Sequence, residues 1–248
     1  MKLKNFVFLF VLFFVNTVAQ SQTLDEILNK YFENIGGREA ISKVSYNKMT
    51  GKVNAQGMEF PTVMLSKGVK NKISFSFQGM EFVQPCFDGE TGWQTNFMNM
   101  KAEKMEKEDS ELLKSQFEDF PDAFLKYKDK GYKAELLGSE TAEGTDCFKV
   151  KLTKKPYILS GVEEENATIY YFDKENFVPI LTKSIIPKGP AKGKYQETVM
   201  SDYQESGGIV FPFSITSKFD GQIAASISIE KIEINVPIDD AVFIFPGE

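Results

Sequence analysis

Between Tyr46 and Phe97 the chain breaks so often that only one strand arrangement fits. Extended runs at Tyr46–Ala55, Met58–Lys67, Lys72–Gln78, Met80–Phe87 and Thr91–Phe97 are interrupted at Gln56-Gly57, Gly68, Gln78-Gly79 and Asp88-Gly89. A parallel crossover needs a dozen or more residues, so neighbours this close in sequence must pair antiparallel. The breaks carry residues that tolerate positive φ, as tight hairpin turns require. Within the run that starts at Lys72, Ile73, Phe75 and Phe77 alternate with Lys72, Ser74, Ser76 and Gln78. A period of two sends the two sets to opposite faces, one apolar and one wet.

The strands resume at Lys133–Leu137, Asp146–Thr153, Ala167–Asp173, Val178–Ile186, Lys194–Gln204, Ile209–Phe219 and Gln222–Ile234. The last pair alternates most cleanly, with Phe211, Phe213 and Ile215 on one face of the first and Ile223, Ala225, Ile227 and Ile229 on one face of the second. Near Glu230 the apolar phase shifts to Ile232 and Ile234, which implies a bulge.

Helical signals are few. Thr23-x-x-Glu26 is a capping box, and Leu24, Ile27, Leu28, Tyr31, Phe32 and Ile35 form one apolar stripe that ends at Gly36-Gly37. From Lys101 to Lys130 charge rises and β-branched residues vanish. Met105, Leu112, Leu113 and Phe117 share a helical face there, and Pro121 is placed to open a further short helix carrying Phe124, Leu125 and Tyr127. No repeat or linker divides the chain, so one domain is expected.

The N-terminus reads as an export signal over residues 1–19. Lys2 and Lys4 precede an apolar stretch from Phe6 to Val15, too short to span a bilayer, and Thr17-Val18-Ala19 precede the expected cut. The mature domain is then 20–248, soluble and exported, and no cysteine stands at the cut to carry a lipid anchor. A formal net charge of −6 argues against nucleic acid as a partner. Export permits a disulfide between Cys86 and Cys147, but whether they meet depends on strand order.

The chain contains no histidine, which removes Ser-His-Asp, Cys-His and histidine-ligated metal chemistry. The runs Glu163–Glu165 and Asp239-Asp240 read as solvated loops, and Asp88–Gly92 lacks calcium-loop spacing. No enzyme signature, metal site or cofactor is expected. About a dozen half-apolar strands with about three short helices leave two readings of the phenylalanine face. It is either an ordinary dry core or an incompletely filled concavity suited to an apolar ligand.

Several stretches occur in an order that resembles the LolA/LolB-like superfamily of outer-membrane lipoprotein carriers. They are Ile35-Gly36-Gly37, the hairpin Phe75–Phe82, the stretch Asp88–Trp93, Ser201-Asp202-Tyr203, Gly208–Pro212 and Ile229–Asn235. The resemblance implies a mainly β single domain with an α lid: a half-open antiparallel β-barrel of about 12 strands, helices covering its concave apolar face. It implies a monomeric periplasmic carrier for acyl chains of lipoproteins or other lipids, served by an inner-membrane release complex and an outer-membrane acceptor. A non-transporting sensing module of an envelope stress pathway is the alternative. On this reading Phe75, Phe77, Trp93, Phe211, Phe213, Ile215 and Ile227 line the cavity, and Leu28, Phe32, Leu112, Leu113, Phe117 and Phe124 belong to the lid. The superfamily's lid-pinning arginine lies on an early strand; the single arginine here, Arg38, lies before the first strand and does not inherit that role.

Overall fold

The computed structural model describes residues 22–247; the export signal expected over 1–19 lies outside the described residues. The chain opens with helix α1 (Leu24–Asn34) and the short α2 (Arg38–Ser42). Six strands follow: β1 (Tyr46–Ala55), β2 (Met58–Lys67), β3 (Lys70–Phe77), β4 (Met80–Phe87), β5 (Gly92–Asn96) and β6 (Lys101–Lys104). Helix α3 (Lys107–Phe117) and a run of turns lead to β7 (Lys133–Ala142) and β8 (Thr145–Thr153). A small hairpin, β9 (Tyr157–Leu159) and β10 (Val162–Glu164), precedes β11 (Ala167–Asp173) and β12 (Pro179–Ile185). The chain then runs through β13 (Tyr195–Ser206), β14 (Ile209–Phe219) and β15 (Gln222–Ile234) to a 3-10 turn at Asp240–Phe243.

Thirteen strands form one antiparallel sheet in the order β6-β5-β4-β3-β2-β1-β15-β14-β13-β12-β11-β8-β7. Its edges, β6 and β7, do not pair, so the barrel is open. Strand β15 joins the N-terminal meander to the C-terminal one by pairing with β1. Along that seam Thr50 faces Lys231 and Gly51 faces Ile229, so Glu230 is the extra residue of a bulge, where the apolar phase predicted one.

Helix α1 begins as its sequence dictates. The Thr23 hydroxyl accepts from the Glu26 amide at 3.3 Å, and the Glu26 carboxylate accepts from the Thr23 amide at 2.7 Å. Such a cap contributes roughly 1 kcal/mol to helix stability. At its far end Gly36 adopts φ +114°, and a Cβ there would lie 2.3 Å from the carbonyl oxygen of Gly208. The Val210 amide donates to the Ile35 carbonyl at 3.1 Å beside it. Two of the stretches that carry the family resemblance, Ile35–Gly37 and Gly208–Pro212, are therefore one contact.

Three elements depart from expectation. The segment from Pro121 forms turns rather than a helix, because the Asp122 carboxylate takes the Phe124 amide at 2.8 Å and closes a turn in place of the first helical bond. Strand β6 lies in the charged segment read as helical, and β9–β10 lies in what reads as a loop.

Candidate ligand-binding face

Cross-strand partners share a face, so the register sorts the sheet's residues. Phe75 faces Thr62 and Phe82, and Phe77 faces Met80. Across the seam Val53 pairs with both Phe60 and Ile227, and Ile227 pairs with Ile215. Strict alternation along β14 adds Phe213 and Phe211. One face thus carries six of the predicted cavity positions: Phe75, Phe77, Phe211, Phe213, Ile215 and Ile227. A cavity of about 810 Å³ on this face is lined both by Ser66 and Asn71 of β2–β3 and by Thr182 and Thr198 of β12–β13. Three strands separate these walls, so the sheet curls around the cavity and this is its concave side.

The concavity is filled at one end only. There Ile27, Leu28, Tyr31 and Phe32 of α1 pack with Phe124 and Tyr127 onto Val150, Leu152 and Phe172 of β8 and β11. Phe124 meets Tyr170 and Phe172 edge-on at centroid distances of 4.8 and 5.7 Å. Leu28, Phe32 and Phe124 are therefore interior residues of this cluster. Arg38 lies outside it, stacked 3.8 Å above the Phe32 ring and bonded to Asn29.

The other end has no such filling. Phe60, Phe75, Phe77, Phe82 and Phe97 form a continuous aromatic wall, with Phe75 and Phe82 stacked at 5.3 Å and Phe82 and Phe97 at 5.6 Å. Phe77 remains 40% exposed and Phe97 55%. An identical pentapeptide, Gln-Gly-Met-Glu-Phe, turns two adjacent hairpins here, at 56–60 and 78–82. In both turns the Gln and Gly have positive φ, and both methionines, Met58 and Met80, project unburied beside the wall. Scanning the sequence for short repeats would have found this pair.

Helix α3 lies over the middle. Only Ser110 of it is buried, while Leu112, Leu113 and Phe117 are half-buried, and Leu112 and Phe117 line the large cavity. It is held chiefly by polar contacts: Lys188 reaches Asp109 at 2.9 Å, and Glu108 accepts from the Ser160 amide at 2.7 Å. It sits close against β5, where a Cβ on Gly92 would meet Leu113 at 2.8 Å and Met105 at 2.9 Å. The turn segment after it is anchored more deeply. Asp119 pairs with Lys154 and Lys130, and the Tyr31 hydroxyl donates to Asp122 at 2.5 Å. Burial pushes the Asp122 carboxyl above its ordinary value, and burial reinforced by the Asp122 charge pushes the Tyr31 hydroxyl well above its own.

Trp93 is not on this face. It pairs with Cys86, and Cys86 with Lys72, one residue out of phase with Ile73 and Phe75. A register shift between Lys72 and Ser74 places Val83 and Cys86 together on the convex side, which the alternation alone conceals. There Trp93, Val83 and Cys86 are covered by Phe243 from the C-terminal turn. Cys147 is buried on the same convex side at the far end of the sheet, packed with Tyr171 and Leu181. Eight strands separate β4 from β8, and both cysteines are free.

Among the described residues no group of three or more histidine, cysteine, aspartate or glutamate side chains is placed to hold a metal, and no helix is long and apolar enough to cross a membrane. No family model and no curated protein matches the sequence. Solved structures match the fold. A LolA superfamily protein from Nitrosomonas europaea superposes with a TM-score of 0.54 at 13% identity, over 90% of this chain and 98% of its own. A domain assigned to outer membrane lipoprotein sorting, from Vibrio parahaemolyticus, gives 0.53 at 11% identity, over 88% and 94%. A DUF1329 family protein from Desulfovibrio piger gives 0.52 at 14% identity, over 88% and 97%. The chain has the LolA-like fold.

Proposed function

We propose that a chain with this fold, this open apolar wall and an N-terminal export signal is a soluble periplasmic carrier that shields acyl chains of lipoproteins or other lipids. The observation that carries the reading is the half-exposed phenylalanine wall on the concave side of an unclosed sheet. A monomeric protein gains nothing from leaving such rings in water, whereas an acyl chain laid on them is stabilised by ~0.8 kcal/mol per buried methylene. Aromatic and methionine side chains tolerate chains of varied shape. The reaction is transfer without covalent chemistry, from an inner-membrane release complex to an outer-membrane acceptor.

Native mass spectrometry of the protein isolated from a periplasmic extract tests the core of this. Acylated ligands should co-purify with the wild type, and Phe75→Glu or Phe213→Glu should lose them while retaining the circular-dichroism spectrum. A protein that never takes up an acylated ligand is not a carrier. One that binds such ligands but never releases lipoproteins from inner-membrane vesicles is a sensing module.

A further inference from the structure

Resting on the acyl-carrier reading, we propose that the remaining part of the concavity is a headgroup site for uncharged amphiphiles bearing O–H or N–H donors, with Asn71 as its anchor. Asn71 is 8% exposed and lines the 810 Å³ cavity. Its Nδ2 donates to the Ser66 hydroxyl at 2.9 Å, but its Oδ1 has no hydrogen-bond partner. Asn47 is 7% exposed, lines an adjoining cavity of about 180 Å³, and its Oδ1 is likewise unpartnered. The three side chains stand in one row, Asn47 opposite Ser66 and Ser66 opposite Asn71. A buried acceptor without a donor is destabilising and rare, and two in one row mark a place where a donor is meant to arrive.

The facing wall has matching chemistry. Thr168, Ser184 and Gln196 form one register row across β11, β12 and β13, and Thr182 and Thr198 form the next. All five line the same cavity. Inner-face positions of a small barrel are ordinarily apolar; here a patch of hydroxyls and one amide replaces them, beside a wall of phenylalanine. The concave surface is therefore two-toned, as an amphiphile is.

Charge decides the kind of head. The cavity lining holds four carboxyl groups, Asp109, Asp119, Asp122 and Glu165, and two lysines, Lys154 and Lys188. Each is already bonded within the protein: Asp109 to Lys188, Asp119 to Lys154, Asp122 to Tyr31 and Glu165 to Lys151. A phosphate entering here meets surplus negative charge and no uncommitted cation, and an ammonium meets no uncommitted acid. Neutral donors fit. Glyceride or sugar hydroxyls and the amides of an acylated peptide offer the same chemistry.

The full mature chain, loaded with a fluorescent fatty acid, is challenged with palmitate, a dipalmitoyl glycosylglycerol, a neutral dipalmitoylated lipopeptide and dipalmitoyl phosphatidylglycerol. At least one neutral head should displace the probe more tightly than phosphatidylglycerol, and whichever does so names the source. Asn71→Leu should weaken that ligand roughly fivefold to tenfold, the worth of one hydrogen bond, with palmitate unchanged. Thr182→Val, nearly isosteric, repeats the test from the other wall should the first variant fail to fold. Palmitate binding with no discrimination among heads, or an equal loss for palmitate and the neutral ligand, overturns the headgroup site and leaves the carrier standing. Failure of every acyl probe, palmitate included, overturns both.

Discussion

The indole nitrogen of Trp93 donates to the backbone oxygen of Phe243 at 2.8 Å, tying the fifth strand of the sheet to the C-terminal turn. The Phe243 ring is fully buried against the convex face, and Asp240 next to it bridges Lys67 and Lys70 at 3.0 Å each. Truncating this ring, Phe243→Ala, should cost about 3–5 kcal/mol, by the measure of other buried phenylalanines. Trp93 is the only tryptophan, so its emission should shift to the red in that variant. In the wild type the emission should not move when an acyl ligand is added, because the ring is on the side away from the cavity. A ligand-dependent spectral shift would contradict that placement.

Enlarging Gly92 probes the lid from beneath. Gly92→Val places methyl groups where the ends of Leu113 and Met105 now sit, with the Ser110 hydroxyl 3.4 Å from the new Cβ, and so crowds the underside of α3. Hydrogen exchange should quicken across residues 107–117 while the strands stay protected, and a fluorescent fatty acid should enter and leave faster than in the wild type. Unchanged exchange in that helix would show that the lid does not rest on β5.

The Asp122 carboxyl gives a signed pH dependence. Its pKa is raised in the folded chain by burial, so folding takes up a proton there. Its contribution is complete below the ordinary carboxylate pKa and falls as pH rises through the folded-state value, then stays level. Asp122→Asn retains an acceptor for the Phe124 amide and removes the charge. Denaturation midpoints from about pH 4 to pH 7 should fall less with rising pH in the variant than in the wild type. Parallel curves would refute the assignment.

The thiols should be silent in the native protein. Both are fully buried; burial pushes Cys86 up to about 12 and raises Cys147 as well. A disulfide-exchange reagent at about pH 8 should find no native thiol and two after denaturation, since only thiolate reacts. Melting should be the same with and without reductant. Cys86 lies under Phe243, so Phe243→Ala should make it the first to react.

What the sequence disclosed was whatever short-range chemistry fixes. The Thr23–Glu26 cap, the apolar stripe of α1, the hairpin turns and the phase slip at Glu230 each act within a few residues, and each stands where the residues placed it. Hidden were features decided at a distance. Strand β6, Lys-Ala-Glu-Lys, has no strand propensity of its own and is extended only because β5 offers a ladder. Pro121 suits a helix start, yet Asp122 is taken by Tyr31, ninety-one residues away in sequence, and the turn follows. Trp93 lies on the face opposite to the one its spacing predicts, because the slip between β3 and β4 has no mark in the alternation. The polar half of the cavity is hidden for another reason: Asn71 and Thr198 become neighbours of one space only after the sheet has curled.

The unpaired edges of the sheet also bear on selectivity. A closed barrel has a diameter set by its strand number and shear, and a ligand must match it. With β6 and β7 free, no hydrogen-bond ring fixes the girth, and a small change in twist at each of twelve strand junctions adds up to a large change in span. On the carrier reading, such a trough would fit its girth to whatever it holds, so thin and bulky chains alike would find a close wall.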